Sequence, residues 1–483
     1  MLFLLVFSLL CNHLTAQVSA DKKLHDYVGS IVYDKHLKGA FFSVKLVGFE
    51  TGKTIFEHNS EQKMIPASTQ KLITTGIGFI NLGENHTFKT SVYYDGTIAA
   101  DSVLNGNLYI VGGGDPSFCS KNFPETAPQI VFNKIFYGLK SAGISAVNGK
   151  IITDDSYFDG NHSTSETVHS SWELEDIGSY YGTGVHGLNF CENTFTVKIS
   201  CKDTTGIVVN PEYPYSETVV PKIVPDITII HKDSLPDIVS LPEANRYILR
   251  GEMPAGKETV LDCALQNPAG AFAFWLNEYL NSAGIPVYNN GIDSVFDSEK
   301  YLLTEIESPP YSELARFTNY VSNNLFADAV FKNISKITTG ETSFSKSATN
   351  MDNLLKSLKL NTHDIRIVDG SGLSRHNLIT AGFTCEYLRV IKRHVPDFHL
   401  SLPSPGTEKS TLRYFMSSYA GKSNKERIFL KSGSMTGALN YAGYIVGKNG
   451  EIMCVAIMTN NFTCKTKDIR PKLERLVFLI SEL

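Results

Sequence analysis

Ser68 and Lys71 stand three residues apart in the stretch Met64-Ile65-Pro66-Ala67-Ser68-Thr69-Gln70-Lys71-Leu72-Ile73. On a helix this spacing puts both side chains on one face, so an unprotonated amine can take the hydroxyl proton and leave a nucleophilic alkoxide. The same spacing recurs at Ser19/Lys22, Ser60/Lys63 and Ser343/Lys346, so spacing alone selects nothing. What distinguishes Ser68/Lys71 is its setting. Pro66 marks a helix start, where the first backbone N–H groups are free to hold an oxyanion, and Ser68 is expected to open the helix. The apolar residues behind Lys71 would bury its amine, and desolvation lowers an amine's pKa, as a general base at neutral pH requires.

Two further clusters can do chemistry. Tyr320-Val321-Ser322-Asn323-Asn324-Leu325 is a polar knot between two helical segments; alone it reads as a helix cap, and Ser-x-Asn recurs at Ser120-Lys121-Asn122. Leu430-Lys431-Ser432-Gly433-Ser434 ends a predicted strand, where a glycine lets a substrate backbone approach and a lysine with a hydroxyl can bind a carboxylate. Gly112-Gly113-Gly114-Asp115-Pro116 and Asp369 to Arg375 read as tight turns. Gly48 to Thr54 falls one residue short of a phosphate loop. Neither His-Glu-x-x-His nor Cys-x-x-Cys occurs, so no zinc site or dithiol motif is signalled, and serine acyl transfer needs no cofactor.

The elements that must position these residues come from both ends of the chain. Phe41 to Phe49 and Thr54 to His58 read as a β-hairpin. Arg427 to Ser434, Asn440 to Val446 and Glu451 to Thr459 read as three more strands, and Asp468 to Glu482 as a closing helix. Helical periodicity also marks Tyr311 to Asn319, Leu325 to Lys336 and Met351 to Leu358. Short β-like runs such as Thr194 to Ser200 and Ile227 to His231 fill the middle, residues 90 to 300. The fold class expected is α+β, one antiparallel sheet assembled from the two termini with the middle inserted.

With 483 residues, 42% hydrophobic and 19% charged, the chain is long enough for more than one domain and is not disordered. Its 44 Lys plus Arg nearly balance 49 Asp plus Glu, which disfavours nucleic acid as a partner. Met1 to Leu10 is an apolar run followed by small residues to Ala20, so residues 1–20 read as a secretory signal and the mature chain as exported. No later segment is apolar enough to span a bilayer, which leaves room only for peripheral membrane contact. Without Cys11, seven cysteines remain; Cys191/Cys201 and Cys454/Cys464 are candidates for local bridges, and buried free thiols are the alternative.

Ser-x-x-Lys, Ser-x-Asn and Lys-Ser-Gly in this order resemble the motif triple of penicillin-binding proteins and serine β-lactamases. Over most of the chain the sequence is similar to one branch, the D-alanyl-D-alanine carboxypeptidase/endopeptidases of the penicillin-binding protein 4 type. The matching stretches are Pro66 to Lys71, Gly112 to Pro116, Ser322 to Leu325, Asp369 to Arg375, Thr411-Leu412-Arg413, and Lys431 to Ser434 continuing to Ala442-Gly443-Tyr444. The resemblance implies a penicillin-binding transpeptidase-like catalytic domain, an antiparallel sheet flanked by helices, in residues 21–90 and 301–483. Inserted β-rich domains would occupy 91–116 with 190–300, and 117–189. It implies that Ser68 attacks the carbonyl between two D-alanines of a peptidoglycan stem peptide, with Lys71 as base. Ser322 and Lys431 would relay a proton to the leaving amine, Asn324 would hold a substrate amide, and Ser432 beside Gly433 would bind the terminal carboxylate. Backbone N–H groups of Ser68 and Ser434 would form the oxyanion hole. β-Lactam antibiotics would acylate Ser68 covalently, and the site would lie in the periplasm. Asn323 stands where the family commonly has Asp, and Ser432 where it has Thr. A β-lactamase would share Ser68, Lys71, Ser322 and Lys431, but Asp328 and Glu341 sit in no motif for a deacylating base. A non-catalytic wall-binding sensor would have lost one of these residues. An α/β-hydrolase would need Gly-x-Ser-x-Gly, which is absent.

Overall fold

A computed structural model describes residues 22–158, 166–201, 207–220, 222–230, 235–240, 246–288, 299–419 and 425–483. The expected signal, Cys11 included, lies outside the described residues, as does His231. Contacts divide the chain into two compact units, one comprising Met1–Asn81, Ala315–Asn323 and Ala348–Leu483, the other Leu82–Leu314 and Asn324–Ser347. These bounds differ from the expected partition chiefly at 324–347, a helical stretch that packs within the second unit. The helix Asn324–Thr339 supplies the reason: Asn333 Nδ2 donates to Gly114 O, and Leu325 and Ala329 pack on Phe158 and Val185.

The first unit is built on a five-stranded sheet in the order Ile428–Met435, Ala438–Val446, Ile452–Asn460, Phe41–Gly48, Thr54–His58. Every neighbour is antiparallel, so strands from the two ends of the chain pair directly: Phe41 lies opposite Asn460 and Gly48 opposite Met453. The interior strand Ala438–Val446 is buried on both faces apart from its last residue, and its apolar run Ala-Gly-Tyr-Ile-Val reflects that two-sided burial. One face is covered by the terminal helices. Leu24, Val28 and Ile31 from residues 22–32, and Ile469, Leu473, Leu476 and Ile480 from Thr466–Ser481, pack on Val44, Leu46, Leu439, Tyr441 and Val455. The opposite face receives Ala381–His394, a helix that the periodicity reading did not mark. Cys385 Sγ on that helix contacts Lys45 O at 3.3 Å and Cys454 O at 3.4 Å, and Tyr444 Oη donates to Leu388 O at 2.8 Å. Tyr387 Oη in turn donates to Leu72 O, which ties the helix Lys71–Asn81 to the same layer.

The second unit holds a four-stranded sheet (Tyr301–Glu307, Lys89–Tyr94, Leu108–Val111, Ile151–Asp154) and three-stranded sheets that include Thr194–Cys201 with Glu258–Ala264 and Ile223–Ile230 with Tyr247–Pro254. None of these strands joins the five-stranded sheet. The helices Pro128–Ser141 and Pro268–Ser282 are an addition to the β-rich expectation; each begins with proline in its first turn, and Phe132, Ile135, Phe272 and Leu276 enter one core with Phe190 and Val197. All seven described cysteines are free. The two bridges weighed from sequence do not form, because Cys201 lies at the far end of an extended strand from Cys191, and Cys454 faces Cys385 while Cys464 Sγ contacts His36 O. Among the described residues no helix is long and apolar enough to cross a membrane.

Candidate active site

Ser68 sits in a 3₁₀ turn, Ala67–Gln70, and the α-helix begins only at Lys71. This corrects the expectation that Ser68 opens an α-helix, and the tighter turn has a consequence: residues i and i+3 eclipse in a 3₁₀ turn. Lys71 Nζ therefore lies 3.0 Å from Ser68 Oγ. Lys71 Nζ also donates to Ser371 O, at 2.7 Å. The lysine is fully buried whereas Ser68 is half-buried, so the hydroxyl is reachable and the amine is not.

The turn is strained and held from several sides. Ala67 has φ +47°, a left-handed conformation that costs a non-glycine residue about 1 kcal/mol. Buried Asn440 donates from Nδ2 to both Ile65 O and Pro66 O at 2.9 Å. Asn460 Oδ1 accepts from Ile65 N–H at 2.6 Å. From the other side comes the Asp369 to Arg375 turn. Asp369 accepts from the amides of Gly372 and Ser374 at 2.8 and 2.7 Å and from Asn377 Nδ2 at 2.8 Å. This folding presses Gly372, at φ +82°, against the Ala67–Gln70 turn, where a Cβ would stand 2.0 Å from Ala67 O. The same turn presents Ser371 O to Lys71. Sequence reading gives this segment as a tight turn, and the family resemblance as one of its matching stretches, near the active site. It missed Asn440 and Asn460, whose one signal is a polar amide interrupting an apolar strand.

The third cluster lies on the edge strand Ile428–Met435, beside the Ala67–Gln70 turn. A Cβ at Gly433 would lie 2.6 Å from Pro66 O, 2.9 Å from Thr69 N and 3.1 Å from Ser68 N. Glycine is thus required for the edge strand to approach the Ser68 amide. Ser432 points its hydroxyl to Thr411 Oγ1 at 2.8 Å, at a half-exposed position. Ser434, one residue beyond Gly433, is exposed and pairs with Leu439. Lys431 is fully buried and donates to Ser322 Oγ at 2.8 Å and to Ser432 O at 2.8 Å. Burial first, and then the charge of Lys71, hold its ammonium well below the usual lysine range. Two buried amines this close disfavour double protonation.

Ser322 itself follows the helix Tyr311–Val321 at φ +64°, the conformation common just past a helix end. The end of that helix is pinned by Asn319 Nδ2, which donates to Thr75 Oγ1 at 3.2 Å and Ser401 Oγ at 3.1 Å, and by Thr411 N–H to Tyr320 O at 2.9 Å. Within the first unit, then, the structure brings together Ser68, Lys71, Ser322, Lys431, Ser432, Gly433 and Ser434. Asn324 belongs to the second unit, where its Nδ2 donates to Tyr181 O at 2.7 Å. Among the described residues no cluster of three or more His, Cys, Asp or Glu is arranged to hold a metal ion.

An accessible serine hydroxyl one 3₁₀ turn from a buried amine, beside a sheet edge that carries a second buried lysine, has the make-up of an active-serine hydrolase. The chain belongs to the D-Ala-D-Ala carboxypeptidase 3 (S13) family, whose model matches residues 24–481. It is 24% identical over 448 residues to a D-alanyl-D-alanine carboxypeptidase of Actinomadura sp. (strain R39), a match covering 89% of this chain and 80% of that one. It is likewise 24% identical over 432 residues to the D-alanyl-D-alanine carboxypeptidase DacB of Haemophilus influenzae, covering 87% and 85%. The crystal structure of penicillin binding protein 4 (dacB) from Haemophilus influenzae superposes with a TM-score of 0.78 at 21% identity, over 95% of this chain and 99% of that one. The α+β fold is therefore that of a penicillin-binding protein.

Proposed function

We propose that this serine peptidase cleaves D-alanyl-D-alanine at the end of peptidoglycan stem peptides, and D-alanyl cross-links between them, through an acyl-enzyme on Ser68. The observation that carries the reading is the 3.0 Å contact between Ser68 Oγ and the buried Lys71 Nζ. In its unprotonated form Lys71 takes the Ser68 proton while Oγ bonds to the penultimate D-alanine carbonyl carbon. The oxyanion is held by the amides of Ser68 and Ser434, which flank the approach that Gly433 makes possible. Breaking the C–N bond needs a proton on the leaving amine, and Ser322, hydrogen-bonded to Lys431, relays to it the proton that Lys71 took from Ser68. Asn324 binds a substrate amide, and Ser432 with Lys431 binds the terminal carboxylate. Water then releases the acyl group and regenerates Ser68.

Penicillins enter the same path and stop at the acyl-enzyme. The role in the cell is remodelling of peptidoglycan in the periplasm by an exported protein. The catalytic domain is 21–90 with 301–483, and the inserted domains are 91–116 with 190–300, and 117–189.

Two measurements test the reading. Peptide mapping after benzylpenicillin treatment should find one adduct, on Ser68, and Lys71→Ala should slow its formation by about 10² to 10⁴. Digestion of purified peptidoglycan, with products identified by mass spectrometry, should show loss of terminal D-alanine and cleaved cross-links. An adduct on Ser60, Ser322 or Ser343, or untouched peptidoglycan, would sink it.

A further inference from the structure

The second unit carries a shallow cleft of about 600 Å³ that no step above uses. It opens between the first turn of Pro128–Ser141, one face of Pro268–Ser282 and the Tyr213-Pro214 segment. Its walls are Phe132, Tyr213, Trp275 and Tyr279, and its rim carries Gln129 and Glu278.

The rings are fixed before anything binds. Trp275 Nε1 donates to Pro214 O at 2.9 Å. Tyr279 Oη and Gln129 Nε2 both donate to Asn133 Oδ1, at 2.5 and 3.0 Å. Tyr213 and Trp275 meet at 4.9 Å with 63° between their planes, a wedge, while Phe132 and Tyr279 stack at 5.3 Å. Because the polar tips of Trp275 and Tyr279 are already bonded inside the unit, what they offer to a ligand is ring face. Tyr213 is exposed and Trp275 and Tyr279 are half-buried, so three rings beside core-bound Phe132 leave apolar area in water at one surface cleft. Cleft size and the mix of aromatic wall with a few polar groups match small-ligand sites.

A pyranose ring is the ligand whose chemistry matches both parts. Its axial C–H bonds form an apolar face that lies on an aromatic ring, while its equatorial hydroxyls and any acetamido group point outward, to the exposed carboxylate of Glu278 and the amide of Gln129. We infer that this cleft is a subsite for an N-acetylhexosamine ring of the glycan strand bearing the stem peptide. The inference rests on the peptidoglycan reading above for which glycan is met, and on the cleft alone for its being a saccharide site.

The chain has two tryptophans, and Trp172 is buried at 6% exposure while Trp275 is half-buried in this wall. Tryptophan emission of the full protein is therefore titrated with a peptide-free β-1,4-linked N-acetylglucosamine tetrasaccharide. In the same preparation, turnover of a soluble D-Ala-D-Ala peptide is measured. A saturable emission change is expected, weakened at least tenfold in Trp275→Leu, followed by calorimetry, and several-fold in the rim variants Tyr213→Ser and Glu278→Gln. Soluble-peptide turnover should be unchanged in all three, and activity on intact peptidoglycan should fall. No saturable binding by the wild type, binding that survives all three substitutions, or saturation by a polyproline decapeptide in place of the saccharide overturns the inference. Loss of soluble-peptide turnover in the wild type would instead overturn the peptidase reading, and leave the cleft to be judged by its own binding curve.

Discussion

At the scale of single residues, the site is defined by two lysines that water does not reach. Lys71 and Lys431 are both fully buried, and each sits within 3.0 Å of a serine hydroxyl. In the proposed mechanism only an unprotonated Lys71 accepts the Ser68 proton, so acylation is expected to fall as pH drops through an apparent pKa that belongs to the pair. Lys431→Met removes a neighbouring positive charge, which makes protonation of Lys71 easier. The acid limb of the residual benzylpenicillin acylation rate should therefore move to higher pH, and an unmoved limb would mean that the amines titrate independently. Ser432 yields a second prediction. A hydrogen bond from its hydroxyl to a charged carboxylate contributes about 1.5 to 3 kcal/mol, or roughly 10- to 150-fold in rate if made in the transition state. Ser432→Ala should cut kcat/KM on a D-Ala-D-Ala peptide by that order, and much less on a thioester without the terminal carboxylate. Equal losses would assign Ser432 to holding Thr411, its present partner, and not to reading the substrate.

Among the elements, the decisive one is an edge strand brought against a strained turn. Edge strands leave one side of their backbone unpaired, and an extended peptide can align along such an edge. Here part of that edge meets the Ala67–Gln70 turn, and Gly433 sets the distance. In Gly433→Ala the new methyl would fall under 3.0 Å from two backbone atoms, Pro66 O and Thr69 N, so strand or turn must shift. A displacement approaching ~1 Å at the amides proposed to hold the oxyanion is expected to slow acylation by about 10²-fold, and overpacking to destabilise the fold by ~1–3 kcal/mol. Stopped-flow acylation together with thermal unfolding checks both; a variant acylated at the wild-type rate would show that the approach is not limiting. The turn keeps its left-handed Ala67 because Asn440, Asn460 and the Asp369 turn all bond or press on it, the over-determination that strain requires.

Taken as a whole, the molecule keeps a pH-sensitive group far along the chain from its chemistry. Asp115, in the second unit, is fully buried; Ser117 donates to its Oδ1 from both N–H and hydroxyl, at 2.8 and 2.6 Å, and its Oδ2 has no hydrogen-bond partner among the described residues. Burial pushes its carboxyl up to about 7, against the smaller opposing pull of the Ser117 bonds. Between about 4 and 7 the folded protein thus holds a proton that the unfolded chain has released. Stability from this group is complete below pH 4 and declines as pH rises through 7. Asp115→Asn keeps the acceptor for Ser117 and removes the titration, so it should be more stable than the parent at pH 8.5, by up to about 4 kcal/mol, and close to it at pH 4. Calorimetry at the two pH values decides; an equal difference at both would mean that the carboxyl does not titrate in this range.

The residues of the candidate site were largely legible as local pattern. Ser68 before Lys71, the polar knot at Ser322, the Lys431-Ser432-Gly433 run, the N-terminal hairpin and the three C-terminal strands each depend on neighbours within a few residues, and spacing and apolar periodicity encode such relations directly. Tertiary structure decided the rest. That Ser68 occupies a 3₁₀ turn, that Ser371 presents its carbonyl to Lys71, and that Asn440 and Asn460 clamp Ile65 and Pro66 are contacts across hundreds of residues, made by backbone groups or common amides that carry no local mark. The helix Ala381–His394 escaped notice because its polar face and buried thiol read as neither strand nor strong helix until the sheet covered it. The free cysteines were settled in the same way: separation along the chain suggested bridges, and strand geometry, which puts Cys201 at the far end of Thr194–Cys201 from the turn that holds Cys191, ruled out the first of them.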